Sequence, residues 1–304
     1  MAFDIDLRDL RYFEAIAELQ HVGRAAEKLH RTQPALTSAI RRLEAACGAP
    51  LFEKAGRGIR LSEAGHVLLK WAQRMRYDME DARREIAEFG QGLSGQVRIG
   101  IVPTAAQFIL PAAARELLHE APNVKLKTVV GLVDTMKPLL QSGELDLMVG
   151  TESAKDAQFA SELLAEDQIV VAAYKKHELF SRAVKLEDLT RYRWVLQPPG
   201  APTRDWLDHT FERKGFPRPQ VQVEASMLFI LPALIAETGL LSFVSRHHLG
   251  QTKGTTLREI RLPATTMRRR LVVTYRKDGY LSPAASRMIA ILAATAKQNL
   301  SPDR

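Results

Sequence analysis

Two groups of side chains in this 304-residue chain are of types and spacings that could do chemistry. The first lies within the N-terminal quarter: Arg24, Thr32, Gln33, Pro34, Thr37, Ser38, Arg41, Arg42 and Arg57. A glutamine amide donates and accepts in one plane and so can pair with the major-groove edge of adenine, hydroxyls reach base edges of either kind, and guanidinium groups meet phosphates. The chemistry this set offers is recognition of duplex DNA. The second group is spread along the later chain: Pro103, Thr104, Leu132, Thr151, Pro198, Pro199, Thr203, Ser226 and Met227. Hydroxyls mixed with apolar side chains suit the holding of a small, partly apolar organic molecule.

Helices must position the first set. Leu7, Leu10, Phe13 and Ala17 recur at helical spacing and predict an amphipathic first helix. A second, short helix is predicted over about residues 23–29, where the adjacent Ala25 and Ala26 let another helix approach closely. After His30 and Arg31, Thr32 is placed as the N-cap of a third helix with Pro34 in its first turn. On that helix Leu36, Ile40, Leu43 and Cys47 face inward, whereas Pro34, Ser38, Arg41, Arg42 and Ala45 share the opposite face. Gln33, Thr37 and Ser38 are expected on bases, Arg41 and Arg42 on phosphates. Beyond the helix, Pro50-Leu51-Phe52 and Gly56 to Leu61 predict a β-hairpin with Arg57 at its glycine-flanked tip, suited to a narrow minor groove.

The charge agrees with that placement. Residues 20–76 hold eleven Lys and Arg against four acids, so nearly all of the chain's net charge of +8 sits in this segment. A local basic excess of this kind is the footprint of a polyanion-binding module.

The stretches LRDLRYFEAIAE and GRAAEKLHRTQPALTSAIRRLEAACGAPLFEKAGRGIRLSEAG carry an alanine pair followed by TQPALT, IRRLE and PLFE, and they resemble the DNA-binding domain of LysR-type transcriptional regulators. The resemblance implies a winged helix-turn-helix. Ser38 departs from it, standing where many members carry a longer basic side chain, which implies a different sequence preference. Next, residues 62–89 contain no proline, and Leu68, Ala72, Met75, Met79, Ala82, Ile86 and Phe89 recur alternately four and three apart. That heptad seam predicts a helix paired with a second copy, which would present two recognition helices to two half-sites. The resemblance implies the same dimerisation helix, and it alone implies further pairing into a tetramer.

Gly90, Gly92, Ser94 and Gly95 mark a hinge. Beyond it, strands predicted at 97–102, 124–130 and 145–149 alternate with helices at 104–120 and 134–142, the pattern of a parallel α/β sheet. A second run of the same kind extends from 169 to about 260, and a strand at 270–275 and a helix at 283–298 return to the first lobe. VRIG, LLQSGELDLMVG and this order resemble the two-lobed, periplasmic-binding-protein-like effector domain of the same family. The expected fold is therefore α/β: a winged helix-turn-helix at 1–61, a long linker helix at 62–89, a hinge at 90–95 and an effector domain at 96–304. Lobe I takes about 96–165 and 268–304, lobe II about 166–267.

Ligands of open α/β sheets gather at the carboxyl ends of strands, and this rule selects the second group of residues. By the resemblance, Thr104 matches the hydroxyl that meets the effector after the first strand, whereas Leu132 stands where many members place Ser or Thr, and Thr151 where some place Arg. Arg204 is a further cation within range of the cleft. The expected effector is weakly charged or carries one acidic group, and is partly apolar, because Leu132, Met227 and Pro198 accompany the hydroxyls in place of several cations.

Other functions are disfavoured. Cys47 is the only cysteine, so neither an internal disulfide nor a cysteine zinc cluster can form. There is no glycine-rich phosphate loop, GxSxG elbow or HExxH, and the adjacent His247 and His248 point apart. No catalysis, cofactor or metal is expected. No apolar run is long enough to span a bilayer and the N-terminus lacks an apolar signal core, which predicts a cytoplasmic location. The expected partners are double-stranded promoter DNA, a small organic effector, a second copy of the chain and RNA polymerase, with no membrane. The rival readings, a solute-binding protein or an enzyme without DNA function, leave the basic N-terminal segment without a role.

Overall fold

The structure, a computed structural model, describes residues 5–55, 58–88, 93–154, 156–226, 230–250 and 256–299. Arg57, Phe89 and Met227 of the expectations above lie outside the described residues. The chain divides into two compact units, the first of residues 1–91 with 138–145 and 278–280, the second of 92–137, 146–277 and 281–304.

In the first unit α1 spans Leu7–Leu19, α2 Val22–Lys28 and α3 Gln33–Cys47. Asp6 caps α1, its carboxylate accepting from the Arg8 N–H at 2.7 Å, and the His21 ring caps α2 by accepting from the Arg24 N–H at 3.3 Å. Thr32 stands at the N-cap position of α3, but its side chain makes no capping hydrogen bond. Gly48 ends α3 at φ +69°, a left-handed conformation that favours glycine. The three helices close on Tyr12, Ile16, Leu36 and Ala39, with Ala25 and Ala26 buried where α2 packs closest. The hairpin follows: β1 (Phe52–Ala55) pairs antiparallel with β2 (Gly58–Leu61).

The long helix α4 (Glu63–Glu88) starts against this hairpin. The Ser62 hydroxyl donates to the Pro50 carbonyl at 2.6 Å and accepts from the Gly65 N–H at 3.0 Å. A Cβ at Gly65 would stand 2.2 Å from the Leu51 carbonyl oxygen, so only glycine permits this approach. The expected seam is corrected at its start. Leu68 and Ala72 pack with Leu10, Phe13, Leu43 and Leu51, because the first turns of α4 cover the open side of the helical core. The large apolar side chains that α4 exposes are Val67, Trp71, Met75, Met79 and Ile86, with Ala82 exposed among them, so the stripe begins one position earlier.

Beyond α4 the chain runs β3 (Gly95–Ile101), α5 (Pro103–Phe108), α6 (Leu110–Glu120), β4 (Val124–Val130), α7 (Val133–Ser142), β5 (Leu147–Thr151) and β6 (Phe159–Tyr174). It continues with β7 (Arg193–Leu196), α8 (Pro202–Arg213), β8 (Gln220–Glu224), α9 (Leu231–Thr238), β9 (Ser242–Ser245), α10 (His247–Gly250), β10 (Leu257–Glu259), β11 (Met267–Arg276) and α11 (Pro283–Asn299). The single helix expected over 104–120 is two, broken at Ile109, because Pro111 has no N–H to continue the ladder and its ring crowds the preceding turn.

The sheet is mixed, which corrects the parallel expectation. β3 is parallel to β4 and β5, but β11 runs antiparallel to β5 and β6, and β6 antiparallel to β9 and β10. β6 starts ten residues earlier than the strand expected from 169, and with β11 it forms the pair that passes from one lobe to the other. Val97, Ile99, Ile101, Leu117 and Met136 are buried in lobe I. In lobe II Trp194 meets Phe211 edge-on at 6.0 Å among Val171, Leu207 and Leu241.

Candidate nucleic-acid interface and ligand cavity

The outer face of α3 is open. Thr32, Gln33, Pro34, Ser38 and Arg41 are exposed and Thr37 is half-buried, while Leu36, Ala39 and Leu43 turn to the core. Arg24 is exposed on α2. Thr37 Oγ1 donates to the Gln33 carbonyl at 3.0 Å, one turn back, which orients its methyl and hydroxyl together. Arg41 forms no ion pair among the described residues.

Arg42, also exposed on this face, has in addition a partner within the unit. Its Nε donates to Asp9 Oδ2 at 2.8 Å and its Nη2 to Asp9 Oδ1 at 2.7 Å, a two-pronged pair that ties α3 to α1. Asp9 is almost fully buried while Arg42 keeps its outer edge in solvent. Hydrogen bonding to this carboxylate, more than its charge at a distance, raises the pKa of Arg42 above its ordinary range. Sequence reasoning missed Asp9, although an acid on the face of α1 that carries Leu10, Phe13 and Ile16 is itself a signal of a buried partner. Cys47 is partly buried, and burial pushes its thiol pKa up.

In the second unit a cavity of about 750 Å³ opens at the carboxyl ends of the strands. That volume is within the range of roughly 300–1,000 Å³ usual for small-molecule sites. Pro103, Thr104, Leu132, Thr151 and Thr203 of the expected set line it; Pro198, Pro199 and Ser226 do not. Gln197 lines it instead, and its side-chain oxygen accepts from the Thr203 hydroxyl. Arg204 is held at Asp208 by a 2.7 Å bond and is absent from the lining.

The cavity contains cations that the sequence reading did not supply. Arg268, Arg269 and Arg270 of β11 line it, together with Glu152, Glu166 and Asp167. Arg269 Nε and Nη2 donate to Asp167 Oδ2 at 2.8 and 2.5 Å, and Nη2 also donates to Thr104 Oγ1 at 3.0 Å. Ser245 Oγ donates to Asp167 Oδ1 at 2.8 Å. Arg270 meets Glu152 at 2.9 Å. A usable signal was present: the run Arg268-Arg269-Arg270 faces Glu166-Asp167-Gln168 in the β11–β6 register. Among the described residues no group of three or more His, Cys, Asp or Glu is placed to hold a metal ion, and no helix is long and apolar enough to cross a membrane.

Over residues 90–297 the sequence matches the family described as LysR substrate binding domain, and over residues 7–66 the one described as bacterial regulatory helix-turn-helix protein, lysR family. It is 28% identical over 290 residues to the HTH-type transcriptional regulator GalR of Pseudomonas putida, covering 94% of this chain and 72% of that protein. Among solved structures, ArgP from Mycobacterium tuberculosis superposes with a TM-score of 0.72 at 19% identity, covering 96% of this chain and 98% of that one. Full-length CbnR, solved in complex with its target DNA, has a TM-score of 0.68 at 22% identity, covering 95% of this chain and 99% of that one. With both of its domains matched, the chain belongs to the LysR family of DNA-binding transcriptional regulators, which carry an effector-binding substrate domain.

Proposed function

We propose that the protein binds promoter DNA sequence-specifically as a dimer and that a small organic molecule, held in the cavity of the second unit, modulates that binding. The observation that carries this reading is the outer face of α3, open along Gln33, Ser38 and Arg41 on a rigid three-helix core. Gln33, Thr37 and Ser38 read base edges. Arg24, Thr32, Pro34 and Arg41 sit at the backbone, with Arg57 at the wing and Arg42 contributing its solvent-facing edge. CbnR, of similar fold, is a protein solved with its target DNA, which supports the same engagement here.

In this reading residues 1–61 form the DNA-binding domain, 62–89 the dimerisation helix, 90–95 the hinge and 96–304 the effector domain. The exposed stripe of Met75, Met79 and Ile86 on α4 supports pairing with a second copy. Pro103, Thr104, Leu132, Thr151 and Thr203 contact the effector, with Gln197 and Arg269 added. The protein acts by binding and not by catalysis, and works in the cytoplasm.

A metabolite screen by thermal shift on the full-length protein tests the reading. A saturating ligand at about 100 times its dissociation constant adds roughly 2.7 kcal/mol of stability. The expected result is a stabilising compound that also changes DNA affinity and loses both effects in Thr104→Phe. Stabilising compounds that act undiminished on that variant would contradict the placement of the effector.

A further inference from the structure

We infer that the floor of the cavity takes an uncharged hydrogen-bond acceptor, a carbonyl, amide or hydroxyl oxygen, that it excludes a carboxylate or phosphate, and that Asp167 is the residue that sets this selectivity. The inference rests on the reading of the cavity as the effector site.

The floor is a fixed network drawn from four elements. Thr104 comes from α5, Asp167 from β6, Ser245 from the end of β9 and Arg269 from β11. The Asp167 side chain is fully buried and that of Arg269 is 11% exposed. Asp167 accepts two bonds from Arg269 on Oδ2 and one from Ser245 on Oδ1, so the network itself supplies the donors that meet it. Two donors remain toward the cavity. Arg269 Nη1 has no partner among the described residues, and Thr104, whose oxygen already accepts from Arg269, retains its own hydroxyl proton. A ligand atom that meets both must be an acceptor.

The charge of that acceptor follows from Asp167. A bare guanidinium would favour a carboxylate, but here a buried carboxylate 2.5 Å away already neutralises it. A ligand carboxylate on Nη1 would place a second negative group beside Asp167, whose charge is fully buried and so poorly screened, and like charges repel there. The rest of the lining does not offset this. Asp134, Glu152, Glu166 and Asp167 outnumber the three arginines, and Arg270 is held by Glu152. Leu132, Leu231, Phe243 and Met267 supply apolar wall for a branched body. The ligand class is therefore a neutral, partly apolar molecule with an oxygen acceptor at one end.

The isosteric pair isovaleramide and isovalerate tests this on the full-length protein by ligand-observed NMR titration near neutral pH, where isovalerate is ionised. Wild type is expected to bind the amide at least about tenfold more tightly than the acid, and Asp167→Asn, which keeps the shape and removes the charge, to reverse the preference. Thr104→Phe is expected to abolish both. Equal or tighter binding of isovalerate by wild type overturns the charge assignment, a result that stands even if Asp167→Asn fails to fold. An unchanged preference in Asp167→Asn overturns the role of Asp167. No binding of either probe to either protein, or binding that persists in Thr104→Phe, overturns the cavity as the ligand site and the inference with it.

Discussion

Arg42 on α3 and Asp9 on α1, thirty-three residues apart, are joined by two parallel hydrogen bonds of 2.7 and 2.8 Å. The fork fixes the angle at which α3 leaves the core, since a guanidinium that donates two parallel bonds permits little rotation. Arg41, its neighbour, has no such partner among the described residues and is free to meet a phosphate.

The two arginines are therefore expected to separate by experiment. Arg42→Ala strands a buried carboxylate and should lower the thermal midpoint of the N-terminal unit by about 5 °C, as followed by circular dichroism. Arg41→Ala should leave the midpoint unchanged and reduce the slope of log affinity against log salt by about 0.9, the value for one phosphate contact. The opposite assignment of these two effects would contradict the geometry.

Gln33 opens α3 with its side chain exposed. Gln33→Ala is expected to relax preference at one base pair, by about 1–3 kcal/mol, with little loss on unrelated DNA. Selection of preferred sequences from a random pool by both proteins checks this.

The apolar stripe of α4 predicts where assembly can be broken. Met75→Glu with Met79→Glu should weaken the dimer by about a hundredfold in sedimentation equilibrium, because unpaired charges would have to be buried at the helix pair. Leu68→Ala should instead cost about 2 kcal/mol of fold stability and leave assembly intact, since Leu68 packs on the core of its own unit.

Arg269→Ala leaves Asp167 buried without its cation. The expected loss is about 3–5 kcal/mol of stability in denaturant unfolding of the second unit, with the Thr104 hydroxyl deprived of its donor as well. A loss below about 1 kcal/mol would mean that water replaces the guanidinium there.

The N-terminal unit was legible because its signals are local. Helical spacing of Leu10 and Phe13, the alanine pair and the proline after Thr32 each act within a few residues, and α1 to α3 and the hairpin follow them. The cavity was legible only in half. Thr104, Thr151 and Thr203 lie at strand or helix ends that the element order supplies, whereas the Arg269–Asp167 pair depends on the register of two strands a hundred residues apart. Strand direction has the same cause: nothing in the residues of β11 distinguishes an antiparallel neighbour from a parallel one. Likewise Leu68 and Met75 look equivalent in a heptad, and only the packing of α1 on α4 assigns one to the core and leaves the other in solvent.

The most direct measurement is the affinity of the full-length protein, by fluorescence anisotropy at one fixed moderate salt concentration, for DNA from upstream of its own coding region and for a shuffled duplex of equal length. A specific regulator is expected to prefer the first by at least about a thousandfold, as base-edge contacts from two recognition helices add to the shared phosphate contacts. Equal affinity for the two duplexes would contradict sequence-specific recognition through α3.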